Sequence, residues 1–156
     1  MIAVDIPGSP RLELHHLVLD FNGTLAVDGQ PVSGVKTALG ALSQHLQVHV
    51  LTADTFGQVR SDMADVPCQI FVLPPGDQDI GKLDYIRRIG PGHCICIGNG
   101  RNDALMLKEA ALGIAVILDE GCAVKTLMAA DVVCTAIGDA LALLRKPLRL
   151  TATLRS

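Results

Sequence analysis

The stretch Leu17-Val-Leu-Asp-Phe-Asn-Gly-Thr-Leu25 decides the reading of this chain. Leu17, Val18 and Leu19 form an apolar run that delivers a carboxylate, Asp20, and a Gly-Thr turn follows at once. A buried strand that stops at an acid and a glycine-bearing turn is where an open α/β sheet keeps its chemistry. The plainer reading is a strand with a turn-forming Asp. The rest of the chain separates the two.

Outward from this stretch, apolar runs and amphipathic segments alternate. Strands are predicted over 47–51, 68–73, 94–97, 113–118 and 132–134. Helices are predicted over 35–45 with Ser33 as cap, about 56–64, 80–89, 101–111, 121–130 and 139–145. Strict alternation of this kind implies a mainly parallel sheet of five to six strands, with right-handed crossovers and helices on both faces. The fold class is therefore a single three-layer α/β, Rossmann-like domain over residues 1–156. Residues 2–21 read as a hairpin feeding the sheet, turned at Pro7-Gly8-Ser9-Pro10, and Asp28-Gly29-Gln30-Pro31 reads as a loop. In the tail, Leu148, Leu150, Ala152 and Leu154 alternate with Arg149, Thr151, Thr153 and Arg155. That pattern predicts an edge strand over 147–155, or an arm packed on a partner chain.

Composition narrows the partners. The 156 residues are 49% hydrophobic but only 3% aromatic, with no Trp, so Ala, Val, Leu and Ile must build the core. A net charge of −3 with no Lys/Arg run argues against nucleic acid as a partner. The longest apolar stretch, residues 110–118, is too short for a membrane span, and no signal peptide is evident. Five cysteines without a C-x-x-C fit reduced thiols in a cytoplasmic protein. A mean hydropathy of +0.40 suggests apolar surface buried in a homo-oligomer.

In a parallel sheet the strand C-termini share one edge, so the polar residues after each strand meet there. They are Asp20, Asn22 and Thr24; Thr52, Asp54 and Thr55; and Asn99, Arg101, Asn102 and Asp103. Lys82, near the start of its predicted helix, can reach the same crevice. Singly, Thr52 could be a helix cap and Lys82 a solvated lysine. Together, carboxylates, hydroxyls, a lysine and glycine-rich turns are what a phosphoryl group and Mg²⁺ require.

Asp20-Phe-Asn-Gly-Thr-Leu25, then Thr52, Lys82 and Gly98-Asn-Gly-Arg-Asn-Asp103, resemble in order the four motifs of the haloacid dehalogenase (HAD) superfamily. Gly98 to Leu107, with Leu112 to Val116 and Ala129 to Val133, is similar to the hinge region of the P-type ATPase phosphorylation domain. The resemblance, to the small soluble P-type-ATPase-like HAD proteins, runs over essentially the whole chain. It implies an aspartyl-phosphate formed on Asp20. It also implies that Thr52 and the Ala53 amide hold phosphoryl oxygens while Lys82 neutralises charge. Mg²⁺ would sit on Asp20, the Asn22 carbonyl, and the loop carrying Asn99 and Asp103. The implied strand order is 5-4-1-2-3. Twenty-six residues lie between Leu25 and Thr52 and 29 between Thr52 and Lys82, which leaves no room for a cap domain. The substrate is then a small phosphorylated metabolite or a phosphorylated macromolecule, with a neighbouring subunit as the lid in the first case.

Two positions depart from the motifs. Asn22 stands where the resemblance implies a general acid, and an amide cannot shuttle a proton. Asn99 stands where it implies a metal-binding Asp, which removes one negative charge. Hydrolysis should therefore be slow, and a phosphate- or metabolite-binding regulatory module is the rival reading. Both asparagines precede glycine, the context in which asparagine deamidates most readily.

Overall fold

The computed structural model describes residues 1–53 and 58–156. Asp54 and Thr55, and the predicted helix start at 56, lie outside the described residues. Ten strands and seven α-helices follow one another among those described.

Six strands form the central sheet: β3 (His16–Asp20), β6 (Gln47–Thr52), β7 (Gln69–Val72), β8 (Cys94–Gly98), β9 (Leu112–Val116) and β10 (Val132–Cys134). They are parallel throughout, in the order β10-β9-β8-β3-β6-β7. Counted along the chain this is the implied 5-4-1-2-3 with a sixth strand added at the edge. β3 lies between β8 and β6, so the strand order reverses on either side of Asp20, the place where such sheets open a crevice.

Side-chain alternation divides the core into two layers. Leu17 and Leu19 join Val48, Val50, Ile95 and Ile97 on the face covered by α1 (Val35–Leu42) and α6 (Ile137–Arg145). Val18, Leu51, Cys94 and Cys96 line the opposite face under α3 (Gln78–Ile89) and α4 (Ala104–Glu109). All five cysteines are free thiols, and burial pushes the Cys94 thiol up to about 11. No helix among the described residues is long and apolar enough to cross a membrane.

Three expectations need correction. The N-terminal hairpin is β1 (Ile2–Val4) paired antiparallel with β2 (Leu12–Leu14); it forms its own two-stranded sheet, and β3 is not part of it. The predicted loop at 28–31 contains half of a hairpin, β4 (Ala26–Val27) with β5 (Gln30–Pro31). Its two-residue turn places Asp28 and Gly29 at positive φ, 50° and 75°, the conformation that Asp-Gly supplies.

The third correction concerns the tail, which is a helix, α7 (Pro147–Leu154), rather than a strand or arm. Pro147 begins it, where a missing N–H costs nothing. Leu150 and Leu154 lie one turn apart and pack on the core, while Thr151 Oγ1 donates to the Asp5 carbonyl at 2.9 Å. Leu148, which a strand would align with Leu150, is 83% exposed while Leu150 is 0% exposed. Accordingly Leu150→Ala should cost about 2–4 kcal/mol in urea unfolding and Leu148→Ala no more than about 0.5 kcal/mol. Equal costs would fit a strand-like arm and not this helix.

Candidate active site

Asp20 ends β3 with Thr52 beside it, one residue beyond Leu51, the register partner of Asp20 on β6. Thr52 is buried, and its carbonyl accepts from the Leu73 amide at 2.7 Å, holding the end of β6 in place. Ala53, half-buried, follows it. On the other side β8 ends at Gly98, and a 3₁₀ turn, Arg101–Asp103, leads into α4.

The centre of the site is Lys82, carried on α3 and 1% exposed. Its Nζ donates to Asp20 Oδ1 and to Asp103 Oδ1, each at 2.6 Å. Burial alone would lower this ammonium. The charges of Asp20 and Asp103, with their hydrogen bonds, outweigh that effect and hold it above the ordinary lysine range. Asp20 is pushed up to about 7, first by burial and then by the charge of Asp103, with Lys82 opposing. Two carboxylates sharing one ammonium leave a buried excess of negative charge.

Asp103 is 0% exposed. Its second oxygen accepts from the backbone N–H groups of Asn99 at 3.0 Å and Gly100 at 2.8 Å. Three of its roughly four acceptor positions are thus used within the fold. Gly98 makes this approach possible: a Cβ there would lie 2.4 Å from Asp103 Cγ.

Asn99 is 7% exposed and held at both ends of its amide. Thr24 Oγ1 donates to Oδ1 at 3.2 Å, and Nδ2 donates to the Gly121 carbonyl at 3.0 Å. Its backbone carbonyl accepts from the Ala123 amide at 2.8 Å. The side chain lies against Gly23, whose φ of +80° and missing Cβ are both required; a Cβ there would sit 2.3 Å from Asn99 Nδ2. Asn99 therefore ties the turn after the candidate nucleophile to the loop after β9. With the amide clamped and the Gly100 N–H engaged, the attack of that nitrogen on Asn99 Cγ, the first step of deamidation, is opposed.

Asn22, by contrast, is exposed. The turn around it closes through the Gly23 amide on the Ala26 carbonyl at 2.7 Å and the Ala26 amide on the Phe21 carbonyl at 3.0 Å. Arg101 is exposed, and Asn102 donates to Gln78 Oε1 at 3.0 Å, joining the 3₁₀ turn to the start of α3.

Among the described residues no group of three or more His, Cys, Asp or Glu side chains could hold a metal. Of the four residues that the resemblance implied for Mg²⁺, Asp20, the Asn22 carbonyl and the Asn99 amide remain as oxygen donors, whereas both oxygens of Asp103 are already engaged by Lys82 and by the Asn99 and Gly100 amides. One carboxylate with neutral oxygens suits Mg²⁺, which keeps several waters, and the excess negative charge is what a cation relieves. The residues present fit such an ion.

A second fastening holds α3. His49 Nδ1 lies 2.9 Å from the Tyr85 hydroxyl, and its Nε2 lies 3.1 Å from His16 Nδ1. Either neutral tautomer of His49 satisfies both contacts: Tyr85 donates to Nδ1 while Nε2–H donates to His16, or Nδ1–H donates to the Tyr85 oxygen while His16 Nδ1–H donates to Nε2. Tyr85 sits three residues beyond Lys82, so this chain fixes the helix that delivers the ammonium. The motifs include neither this chain of contacts nor Gly121 and Thr126, whose hydroxyl donates to the Gly100 carbonyl at 2.5 Å. The only sequence signal of His16, His49, Tyr85 and Thr126 is that they are polar residues within apolar or helical runs, and Gly121 carries none.

Two outcomes follow from this geometry. Asn99→Asp sets a carboxylate oxygen against the Gly121 carbonyl and should cost about 1–3 kcal/mol in metal-free urea unfolding; an unchanged midpoint would remove the bridging role. Burial, then His16, holds His49 down to about 4, below its unfolded value of 6.5. The unfolded chain binds this proton first, so stability is lost as pH falls from 6.5 towards 4, by about 3 kcal/mol in all. His49→Gln should flatten that decline by one proton, as read from urea midpoints across the range.

No protein-family model matches the chain. The uncharacterized protein MJ0073 of Methanocaldococcus jannaschii is 46% identical over 84 residues, 51% of this chain and 90% of that protein. MJ0072 of the same organism is 44% identical over 39 residues, 25% of this chain and 89% of that protein. Among solved structures, the 3-deoxy-D-manno-octulosonate 8-phosphate phosphatase of Moraxella catarrhalis, in complex with magnesium, phosphate and KDO, superposes with a TM-score of 0.69. It is 20% identical, with 89% of this chain and 90% of that one covered. The cobalt-bound deoxy-D-mannose-octulosonate 8-phosphate phosphatase of Haemophilus influenzae gives 0.67 at 16% identity, covering 92% and 94%. The chain therefore belongs to the family of MJ0073, and its fold is that of the HAD-superfamily phosphatases.

Proposed function

We propose that the chain is a HAD-type hydrolase of phosphate monoesters that works through Asp20. The observation that carries this reading is the Lys82 bridge. It occupies one oxygen of Asp20, whose carboxylate also takes a hydrogen bond from the Phe21 backbone, and leaves the other oxygen off the bridge at the sheet edge, where Thr52 and the Ala53 amide would receive phosphoryl oxygens. The oxygen off the bridge attacks phosphorus, the P–O ester bond breaks, and the leaving oxygen takes its proton from solvent. Water then cleaves the aspartyl-phosphate, releasing phosphate and restoring the carboxylate. Asp20, the Asn22 carbonyl and Asn99 would hold Mg²⁺, which when bound would supply Lewis-acid polarisation of a phosphoryl oxygen. Asp103 stands behind Lys82 and keeps its ammonium aimed. The fold shared with the Moraxella and Haemophilus phosphatases supports the reaction class. A second copy of the chain serves as the lid, a role that the exposed apolar Phe71, Val72 and Ile80 could support.

One observation favours a second reading, a phosphate-binding regulatory module. Asn22 is an exposed amide where proton transfer is needed. General acid–base catalysis is worth about 10²–10⁴-fold, so turnover is expected to be slow by that factor. Phosphate release from p-nitrophenyl phosphate with Mg²⁺ separates the readings. The native chain should exceed Asp20→Asn, and Asn22→Asp should raise turnover by up to about 10²–10⁴-fold. Equal rates in the native chain and Asp20→Asn, with beryllofluoride still bound through Asp20, would leave the binding module as the function.

A further inference from the structure

An open cavity of about 660 Å³ lies at the same edge of the sheet as Asp20. Its walls come from three places: the β4–β5 hairpin, the segment following β9, and the junction of β10 with α6. The turn after Asp20 leads straight to it. Ala26 is bonded back to Phe21 and Gly23, and the next residue, Val27, is the first wall of the cavity. Counting one strand spacing and two Cα steps, Val27 lies within roughly 13 Å of Asp20. The hairpin is pinned to the segment following β9 by the Asp28 amide, which donates to Glu120 Oε1 at 2.8 Å.

The lining carries hydroxyls and an amide, from Ser33, Thr135 and Gln30, set among apolar side chains such as Ile117 and Leu118. Among the described residues its one charged side chain is the carboxylate of Asp119, and no Lys, Arg or His lines it. The helix that starts at the wall, α6, already carries Asp139 in its first turn, which offsets the positive end of its dipole. A carboxylate-bearing ligand entering here would meet like charge with no cation to receive it. Hydroxyl groups would meet hydroxyl and amide partners along an apolar floor.

We infer that this cavity is the leaving-group pocket of the proposed hydrolase and that it selects an uncharged, polyhydroxylated phosphomonoester over one bearing a carboxylate. The inference rests on the phosphatase reading for its chemistry, though the pocket can be tested apart from turnover. The matched probes are sorbitol 6-phosphate and gluconate 6-phosphate, which differ only at the end remote from phosphate, CH₂OH against COO⁻.

With the full chain, Mg²⁺ and ¹³C-methyl labelling, sorbitol 6-phosphate should shift the methyl signals of Val27, Ile117 and Ile137. Gluconate 6-phosphate should shift them at least ten-fold more weakly at equal concentration. Thr135→Arg, which adds a cation to the wall, should narrow or reverse that ratio. Where phosphate is released, kcat/KM should follow the same order. Equal shifts from both probes, shifts confined to signals away from the cavity, or a ratio unmoved by Thr135→Arg would overturn the pocket. Selective shifts without phosphate release from either probe or from p-nitrophenyl phosphate would uphold the ligand selectivity of the cavity and overturn the hydrolase reading instead.

Discussion

The site depends on one ammonium group shared by two carboxylates. A lone charge in the interior costs several kcal/mol, so none of Asp20, Asp103 and Lys82 is tolerable there without the others. Lys82 reaches both acids at 2.6 Å from a helix on one face of the sheet. Three separate parts of the chain, β3, α3 and the turn after β8, are thereby brought into one register. The His16–His49–Tyr85 chain adds a second fastening to the same helix, so the approach of α3 is set at two points of its length.

Close packing of backbone against side chain carries this order outward. Asp103 can hold the Asn99 and Gly100 amides only because Gly98 has no Cβ, and Asn99 can enter its slot only because Gly23 has none. The turn after Asp20, the turn after β8 and the loop near Gly121 become one unit whose members cannot move independently. Such a cradle meets the main requirement of phosphoryl chemistry, in which positioning and charge do most of the work. Asn99 has a double part in it: its amide donates to one neighbour and accepts from another, which a carboxylate at that position cannot do.

Much of this was legible in the chain itself. Apolar runs such as Leu17 to Leu19 and Cys94 to Ile97 announced buried parallel strands, because strands covered on both faces need unbroken hydrophobicity. The polar residues after those runs marked the edge on which chemistry collects. The tail misled because alternation over a few residues is also compatible with a helix whose buried positions are Leu150 and Leu154. What decided between them was the surface offered by α6 and the first hairpin, together with Pro147. The hairpin at 26–31 is legible in Asp28-Gly29 alone, because Asp-Gly is a pair that a positive-φ two-residue turn demands.

The sequence by itself determined the strand–helix alternation and the residue types gathered at the strand ends, because periodicity and strand ends are local properties, while the switch point beside Asp20 was implied by the family resemblance. Only the tertiary structure decided how those residues are paired. That Lys82 serves two acids, that Asp103 is spent on Lys82 and two backbone amides, and that Asn99 is a bridge all depend on contacts between segments remote in the chain. The charge around the neighbouring cavity belongs to the same class, since its walls come from three segments that meet only when the sheet has formed. Such facts arise from close packing, in which a missing Cβ in one segment is the space that a side chain from another must fill.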